Sequence, residues 1–173
     1  MTAQIQDTVE YKETTYLLID YRGKSPFDPE RHGLEVIGKS SICWRGYACA
    51  YRIENKTIQL ETLEASVGRY DGPKYVELEL PRINKVEGKR QESNGQVFNA
   101  KYEHLHLQLP YSGTLILAKD YNENLGEPTG MESEWMFNLV LEVTFKDGIL
   151  KEVKDLSGEI ESIRKQRIKN LLG

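Results

Sequence analysis

The chain has 173 residues, of which 39% are hydrophobic and 29% charged, and this balance predicts one globular domain over residues 1–173 with its own core. The formal net charge of −4 argues against binding to nucleic-acid backbones as a main activity, because such binding needs a basic face. No run approaches the ~20 apolar residues that a membrane span requires, and the N-terminal sequence lacks the basic start and apolar block of a signal peptide. We therefore expect a cytoplasmic protein without nucleic-acid or membrane partners.

The first part of the chain changes from polar to β-rich. Residues 1–12 are polar and predict a loose lead-in, whereas the run from Thr14 to Asp20 predicts the first strand. The segment from Ser25 to Gly33 contains two prolines, so it predicts a loop or a single helical turn.

The stretch Cys43–Val67 predicts a β-hairpin. Four residues at alternate positions would share one face of its first strand: Tyr47, Cys49, Tyr51 and Ile53. A polar break at 54–57 predicts the turn, since Asn55 tolerates the left-handed backbone that a tight turn needs. In the second strand the apolar positions change phase, which predicts a β-bulge near Glu61-Thr62.

Four residues at the start of this hairpin are candidate ligand-binding residues: Trp44, Arg45, Tyr47 and Tyr51. One interpretation is that Trp44, Arg45 and Tyr47 line the mouth of a pocket. The face of Trp44, Tyr47 and Tyr51 would then suit a small apolar or aromatic ligand. The alternative is structural. Trp44 would then cap one end of the core, and Arg45 would stack on it or pair with a carboxylate.

The central part of the chain predicts a turn over residues 68–73 and a one-sided strand from Lys74 to Leu80. Residues 84–96 are highly polar and predict an exposed connection that a protein partner would contact. Residues 97–118 predict a second hairpin that turns near Pro110-Tyr111-Ser112-Gly113.

His104 and His106 are the candidate metal ligands. Two histidines at i and i+2 on a strand point to the same side and can share a metal ion. The alternative is a solvated polar face, with Tyr102, His104, His106 and Gln108 on one side of a strand and leucines on the other. Neither the carboxylate nor the third histidine of such metal enzymes follows at the expected spacing, so we predict no cofactor and no catalytic residue.

The last third of the chain predicts a third hairpin and a helix. The Asp147-Gly148 pair is a strong turn signal between the strands of 135–153. Ser157 is a candidate N-cap for a helix over 157–172, on which Ile160, Ile163 and the later Ile168, Leu171 and Leu172 form an approximate apolar stripe.

Together these elements predict a mainly β protein, an antiparallel barrel or two-sheet sandwich built from hairpins, with one C-terminal α-helix. The runs CWRGYACAYRIENKTIQLETL and YSGTLILAKDY resemble segments of small bacterial proteins that contain a domain of unknown function. That resemblance implies a bacterial, cytoplasmic protein and assigns no functional residue.

Three functional hypotheses follow from the sequence. The first is a non-enzymatic binding protein that meets a protein partner through its sheet and the 84–96 connection. The second is a β-barrel or cleft that binds a small apolar or aromatic ligand against the face of Trp44, Tyr47 and Tyr51. The third is a metal-dependent enzyme that uses His104 and His106. Exposed sheet edges would allow either a monomer or a homodimer.

Overall fold

The computed structural model describes residues 3–92 and 95–173. This part of the chain contains twelve strands, one α-helix and three short 3₁₀ turns at Pro29–His32, Glu123–Leu125 and Glu134–Met136. The strands and the helix have these bounds: β1 Asp7–Tyr11, β2 Thr14–Arg22, β3 Tyr47–Glu54, β4 Thr57–Ala65, β5 Gly68–Asp71, β6 Lys74–Glu77, β7 Lys89–Arg90, β8 Ala100–Tyr102, β9 Leu107–Gln108, β10 Gly113–Tyr121, β11 Phe137–Lys146, β12 Ile149–Asp155 and α1 Ser157–Leu172.

Ten of these strands form one large sheet in the order β12-β11-β10-β2-β1-β3-β4-β8-β7, with β9 also on β4, while β5 and β6 pair separately. The predicted mainly β fold with one C-terminal helix is confirmed. The sheet is mixed, because β1 and β3 run parallel, whereas the other pairings among the described residues are antiparallel. The parallel pair arises because the chain leaves β2, crosses residues 23–46 and returns beside β1. A single pair, Ile149 with Thr57, joins β12 to β4, so the choice between barrel and sandwich stays a prediction.

The hairpin predicted within Cys43–Val67 is present as β3 and β4. Its turn residues Asn55 and Lys56 have φ of 50° and 59°, the left-handed pair that a two-residue hairpin turn requires. Ala50 pairs with Thr62 and Tyr51 with Leu60, which leaves Glu61 as the extra residue of a bulge. The predicted bulge is therefore confirmed, and Cys49, Tyr51 and Ile53 are buried as expected.

The prediction of a loose lead-in over residues 1–12 is wrong for residues 7–11, and Met1 and Thr2 lie outside the described residues. Residues 7–11 form β1, which pairs with β2 through a turn at Lys12 and Glu13 with φ of 50° and 62°. Val9 is fully buried, while its neighbours Thr8 and Glu10 are only partly covered. One apolar position among polar residues is a weak sequence signal for a strand. β1 forms because β2 and β3 pair with its two edges, rather than because of its own composition.

The predicted hairpin over 97–118 is also wrong. β9 pairs with β4, and β10 lies between β2 and β11. The predicted strand breaks at 103–106, where His104 and His106 have φ of 54° and 45°. Tyr102, which was predicted to share their polar face, is fully buried, and its hydroxyl donates to the carbonyl of Pro81 over 2.6 Å.

The structure also differs from the sequence predictions in the region of β5, β6 and β7. The turn predicted over 68–73 contains β5, and the strand predicted to end at Leu80 ends as β6 at Glu77. The polar connection 84–96 includes β7 at the end of the large sheet, and Ser93 and Asn94 within it lie outside the described residues.

Helix α1 begins at Ser157 and ends at Leu172, the bounds that the sequence predicts. Ser157 is not its cap: the Asp155 carboxylate accepts the N–H of Ser157 over 2.9 Å, and the Ser157 hydroxyl accepts the N–H of Val140. Ile160 is buried, but the rest of the predicted stripe is not, since Leu171 and Leu172 are 77% and 85% exposed. No helix within residues 3–92 and 95–173 is both long and apolar enough to cross a membrane.

Candidate ligand-binding cleft

A cavity of 830 Å³ opens where the segment between β2 and β3 meets the residues that lead into β10. This volume lies within the range of about 300–1,000 Å³ that is usual for small-molecule sites. The lining residues are Tyr21, Gly23, Lys24, Ser25, Pro26, Phe27, Asp28, Arg31, His32, Tyr47, Leu109, Pro110, Tyr111 and Ser112. We refer to this cavity as the cleft.

Three rings form an aromatic wall in the cleft. Phe27 stacks on His32 with 5.0 Å between the ring centroids and 21° between the ring planes. Tyr47 of β3 meets Phe27 edge-on, with 6.4 Å between centroids and an angle of 72°. Phe27 is 1% exposed, so it is the buried ring against which His32 and Tyr47 pack. Offset and edge-to-face arrangements of this kind are the favoured geometries of aromatic pairs, which makes the wall a stable surface.

The 3₁₀ turn Pro29–His32 positions His32 on this wall. The Asp28 side chain accepts the N–H of Glu30 over 3.1 Å, and Pro29 occupies the first position of the turn, where its missing N–H leaves no donor unsatisfied. Gly33, with φ of 76°, ends the turn in the left-handed conformation. The two prolines that predicted a loop or single turn therefore hold a ring that lines the cleft.

The ionisable groups of the cleft leave it with more positive than negative charge. The lining contains two cationic residues, Lys24 and Arg31, and one carboxylate, Asp28, which lies 3.6 Å from the Arg31 guanidinium. No carboxylate pairs with Lys24 in the part of the chain that the structure describes. Burial lowers the pKa of His32 below its usual 6.5, with Asp28 opposing that shift, so the imidazole is mostly neutral at pH 7.

Two tyrosines of the cleft stay protonated at physiological pH. Burial raises the pKa of Tyr47 to about 12, and it raises the pKa of Tyr111 to about 12 as well. The Tyr111 hydroxyl is buried and has no hydrogen-bond partner among the described residues. These phenols therefore add polar but uncharged groups to the site.

An ion pair between a buried carboxylate and a partly exposed guanidinium fixes the start of β3 beside the cleft. The Arg45 guanidinium pairs with Asp7 of β1, whose side chain is 4% exposed, and Cys49 donates its N–H to the same Asp7 oxygen over 2.7 Å. Arg45 Nε donates to the carbonyl of Tyr47 over 2.7 Å. Burial raises the pKa of the Asp7 carboxyl, while Arg45 and the Cys49 N–H oppose that rise. The pair thereby ties β1 to β3 and holds the backbone of Tyr47.

A second cavity, of 390 Å³, lies on the other side of this ion pair. Its walls include Asp7, Trp44 and Arg45, together with Tyr21, which also lines the cleft. Trp44 is 62% exposed, and its backbone N–H donates to the Gln4 side-chain oxygen over 3.3 Å. The indole is therefore a surface group rather than a cap on the core.

The four predicted ligand-binding residues are not in one place. Arg45 and Tyr47 are in contact, but Trp44 and Arg45 line the smaller cavity and Tyr47 lines the cleft. Tyr51 lines neither of the two cavities, because it is 2% exposed in the core and its hydroxyl has no partner among the described residues. The structural alternative for Arg45, pairing with a carboxylate, is the arrangement observed.

Sequence reasoning missed Phe27, His32 and Tyr111 as parts of the cleft. The available signal was Phe27 itself, a large apolar residue between two prolines in an otherwise polar segment. Such a residue has to be buried by something outside its own segment, which here is Tyr47 of β3.

His104 and His106 are exposed, and their ring centroids lie 6.4 Å apart. His106 Nδ1 is 2.9 Å from the Glu61 carboxylate, at the bulge of β4. Within residues 3–92 and 95–173 no group of three His, Cys, Asp or Glu side chains is arranged to hold a metal ion. The strand geometry assumed for these histidines is wrong, while metal binding by the pair stays a prediction.

No protein-family model matches the chain, and no significant match is found among curated proteins or solved structures. The resemblance to small bacterial proteins therefore stays a prediction.

Proposed function

We propose that this is a non-enzymatic binding protein that holds a small aromatic anion in the cleft. The observation that carries the proposal is the stacked pair of Phe27 and His32, with Tyr47 edge-on, in a cavity of 830 Å³. Concave sites with aromatic walls and a few polar groups are the usual form of small-molecule sites. The ligand class is that of the second hypothesis from the sequence, whereas the cleft contains Tyr47 without Trp44 and Tyr51.

The charges of the cleft favour an anionic ligand. Lys24 has no ion pair among the described residues, and Arg31 is 72% exposed while it pairs with Asp28, so both are open to a carboxylate or sulfonate. Neutral phenols and a neutral imidazole present no negative charge that would repel such a group. A planar ring on the aromatic wall with its acid group toward Lys24 is the arrangement that these residues support.

The test is a fluorescence titration with 1-anilinonaphthalene-8-sulfonate, a planar aromatic anion, on the full chain. We expect saturable binding that Lys24→Gln weakens by about fivefold, since an exposed ionic contact contributes up to about 1 kcal/mol. His32→Ala should weaken it further because it removes one ring of the wall. Tyr70→Ala, on the β5–β6 hairpin, is the control, since Tyr70 is 51% exposed and lines no part of the cleft.

Equal binding by the wild type, Lys24→Gln and His32→Ala would contradict the proposal. Native mass spectrometry of untagged protein gives a second measurement. A bound organic mass that disappears in His32→Ala would support the cleft as its site, and one that persists in that variant would place the ligand elsewhere.

A protein partner at Trp44 is the second candidate function. Trp44 is 62% exposed and Tyr21 42% exposed, and both line the smaller cavity with Arg45. Trp, Tyr and Arg are the residues that most often dominate binding energy at protein interfaces. Affinity capture with wild type and Trp44→Ala tests this candidate: a partner that the wild type retains and Trp44→Ala loses would support it, and identical capture would reject it. Leu172→Ala, another exposed apolar truncation, is the control.

A further inference from the structure

Strand β12 has a free outer edge. Its residues 149–155 pair with residues 141–146 of β11, with Lys151 as the extra residue of a bulge. On its other side it meets β4 only at Ile149, with the Leu150 N–H bonded to the carbonyl of Lys56 over 2.8 Å. Beyond Leu150, no strand among the described residues lies on this edge. Four of its five remaining residues are exposed, and the fifth, Val153, is half-buried. Such an edge is a template for pairing with another strand.

The sequence of this edge is complementary to itself. It reads Lys151-Glu152-Val153-Lys154-Asp155, so the charges alternate about Val153 with opposite signs at matching positions. In an antiparallel pair of two such strands centred on Val153, Glu152 lies opposite the partner's Lys154. Lys151 lies opposite the partner's Asp155, and each contact occurs twice.

We propose that two copies of this chain pair antiparallel through the outer edges of β12, about a two-fold axis at Val153. The proposal does not depend on the cleft. An isologous contact of this kind needs only one self-complementary patch, and the edge supplies both the backbone groups and the charge pattern.

The charge pattern selects this register over its neighbours. A shift of one residue in either direction places Lys151 opposite the partner's Lys154, or Glu152 opposite the partner's Asp155. A shift of two places Glu152 opposite the partner's Glu152, or Lys154 opposite the partner's Lys154. Like charges directly opposite each other destabilise a strand pair, so among the registers within two residues of it, only the one centred on Val153 avoids such a pair.

The rest of the sheet continues the pattern. Glu142 of β11 pairs in register with Lys154, and it forms an ion pair of 3.3 Å with Arg22 of β2. Lys154 lies 3.9 Å from Glu152 of its own strand. In the dimer, the partner's Glu152 would extend this row of alternating charges across the boundary between the two sheets. The paired segment is short and its ionic pairs are exposed, so we expect a weak, salt-sensitive dimer rather than an obligate one.

The experiment is sedimentation velocity of the full chain over a range of concentrations up to about 0.5 mM at low salt. We expect a monomer–dimer equilibrium that Glu152→Lys and Lys154→Glu each weaken by at least tenfold, because each places like charges opposite one another. An equimolar mixture of the two variants should restore dimerisation, since lysines then face glutamates again. Lys169→Glu, an exposed charge reversal on α1, should leave the equilibrium unchanged.

The mixture distinguishes loss of pairing from loss of folding, because an unfolded variant would not regain a partner. A wild type that stays monomeric at every concentration would overturn the proposal. So would a dimer that both single variants form as well as the wild type, since the contact would then lie on another surface.

Discussion

The Arg45 guanidinium lies 4.4 Å from the centre of the Tyr47 ring while it pairs with the carboxylate of Asp7. One side chain thus joins this ion pair, which links β1 to β3, to the aromatic wall of the cleft. Cation–π contacts of this kind contribute about 0.5–2 kcal/mol, depending on how far the cation is removed from water. The position of Tyr47 is therefore set by β1 as well as by its own strand.

Arg45→Gln should destabilise the protein by about 2 kcal/mol. Breaking a fully buried pair costs about 3–5 kcal/mol, but the Arg45 side chain is 34% exposed, so water replaces part of the lost interaction. The Asp7 carboxylate would remain buried without its cation. Urea unfolding of the two proteins at pH 7 measures the difference.

The stability that Arg45→Gln loses relative to the wild type should increase as the pH rises. Burial already raises the pKa of Asp7, and removal of Arg45 takes away the main opposing influence. A carboxyl whose folded pKa lies above its unfolded value binds its proton more tightly in the folded state. The unfolding free energy of Arg45→Gln should therefore be closest to that of the wild type near pH 4 and fall further below it as the pH rises. A difference independent of pH would show that Asp7 is not the group responsible.

Arg164 should anchor helix α1 to the sheet. Its guanidinium donates to the carbonyls of Trp135 and Phe137, and over 2.9 Å to the side chain of Asn138. Arg164→Leu would leave these acceptors near the start of β11 without donors, at a cost of about 2 kcal/mol. The measurements are the urea midpoint and the near-ultraviolet circular dichroism signal of Trp135.

Lys165→Leu is the matched control for Arg164→Leu, because it is a substitution of the same kind one position along the helix. Lys165 pairs with Glu161 over 2.8 Å at an exposed site, so its loss should change stability by less than about 0.5 kcal/mol. Equal effects of the two substitutions would mean that the Arg164 bonds do not hold the helix.

The sequence predicts the parts of this fold that rest on local signals. Asn55 and the Asp147-Gly148 pair mark two turns that the structure shows, and the change of apolar phase in β4 locates the bulge at Glu61. Helix α1 is predicted with its observed bounds, since its composition and charge distribution are local properties.

The features that the sequence does not predict depend on distant partners. β1 is buried by its neighbours β2 and β3, and the chain at His104 leaves the predicted strand to pass beside β4, where Leu105 donates its N–H to the Glu61 carbonyl over 3.0 Å. The cleft brings together Phe27, Tyr47 and Tyr111, which lie on three separate segments. Residue spacing within one segment carries no information about contacts between distant segments. The sequence therefore predicts a site on a single strand.

Introducing a glycine into one hairpin turn should raise the stability of the protein, whereas removing the glycine from another turn should lower it. Lys56 has φ of 59°, so Lys56→Gly should stabilise the protein by about 0.5–1 kcal/mol by relieving a left-handed side-chain residue. Gly148 has φ of 78°, and a Cβ there would lie 2.4 Å from the carbonyl oxygen of Leu109. Gly148→Ala should therefore destabilise by about 2 kcal/mol or more. Urea unfolding checks both, and a gain in stability from Gly148→Ala would contradict this close approach of Leu109.

His32 should make the stability of the protein fall on acidification. Burial lowers its pKa in the folded state below 6.5, so the fold favours the neutral ring. Such a group leaves stability unaffected above the unfolded pKa and reduces it as the pH falls through 6.5 toward the folded pKa. The unfolding free energy should thus decrease between about pH 7 and pH 5, measured by urea unfolding at a series of pH values.

His32→Phe isolates this contribution, because it keeps a ring against Phe27 and removes the titration. His104 and His106 remain in both proteins, so any effect of those exposed histidines cancels in the comparison. The variant should lose less stability than the wild type over the same pH range. Identical pH profiles would mean that protonation of His32 does not disturb its stack on Phe27, and that the aromatic wall does not depend on the neutral form of the ring.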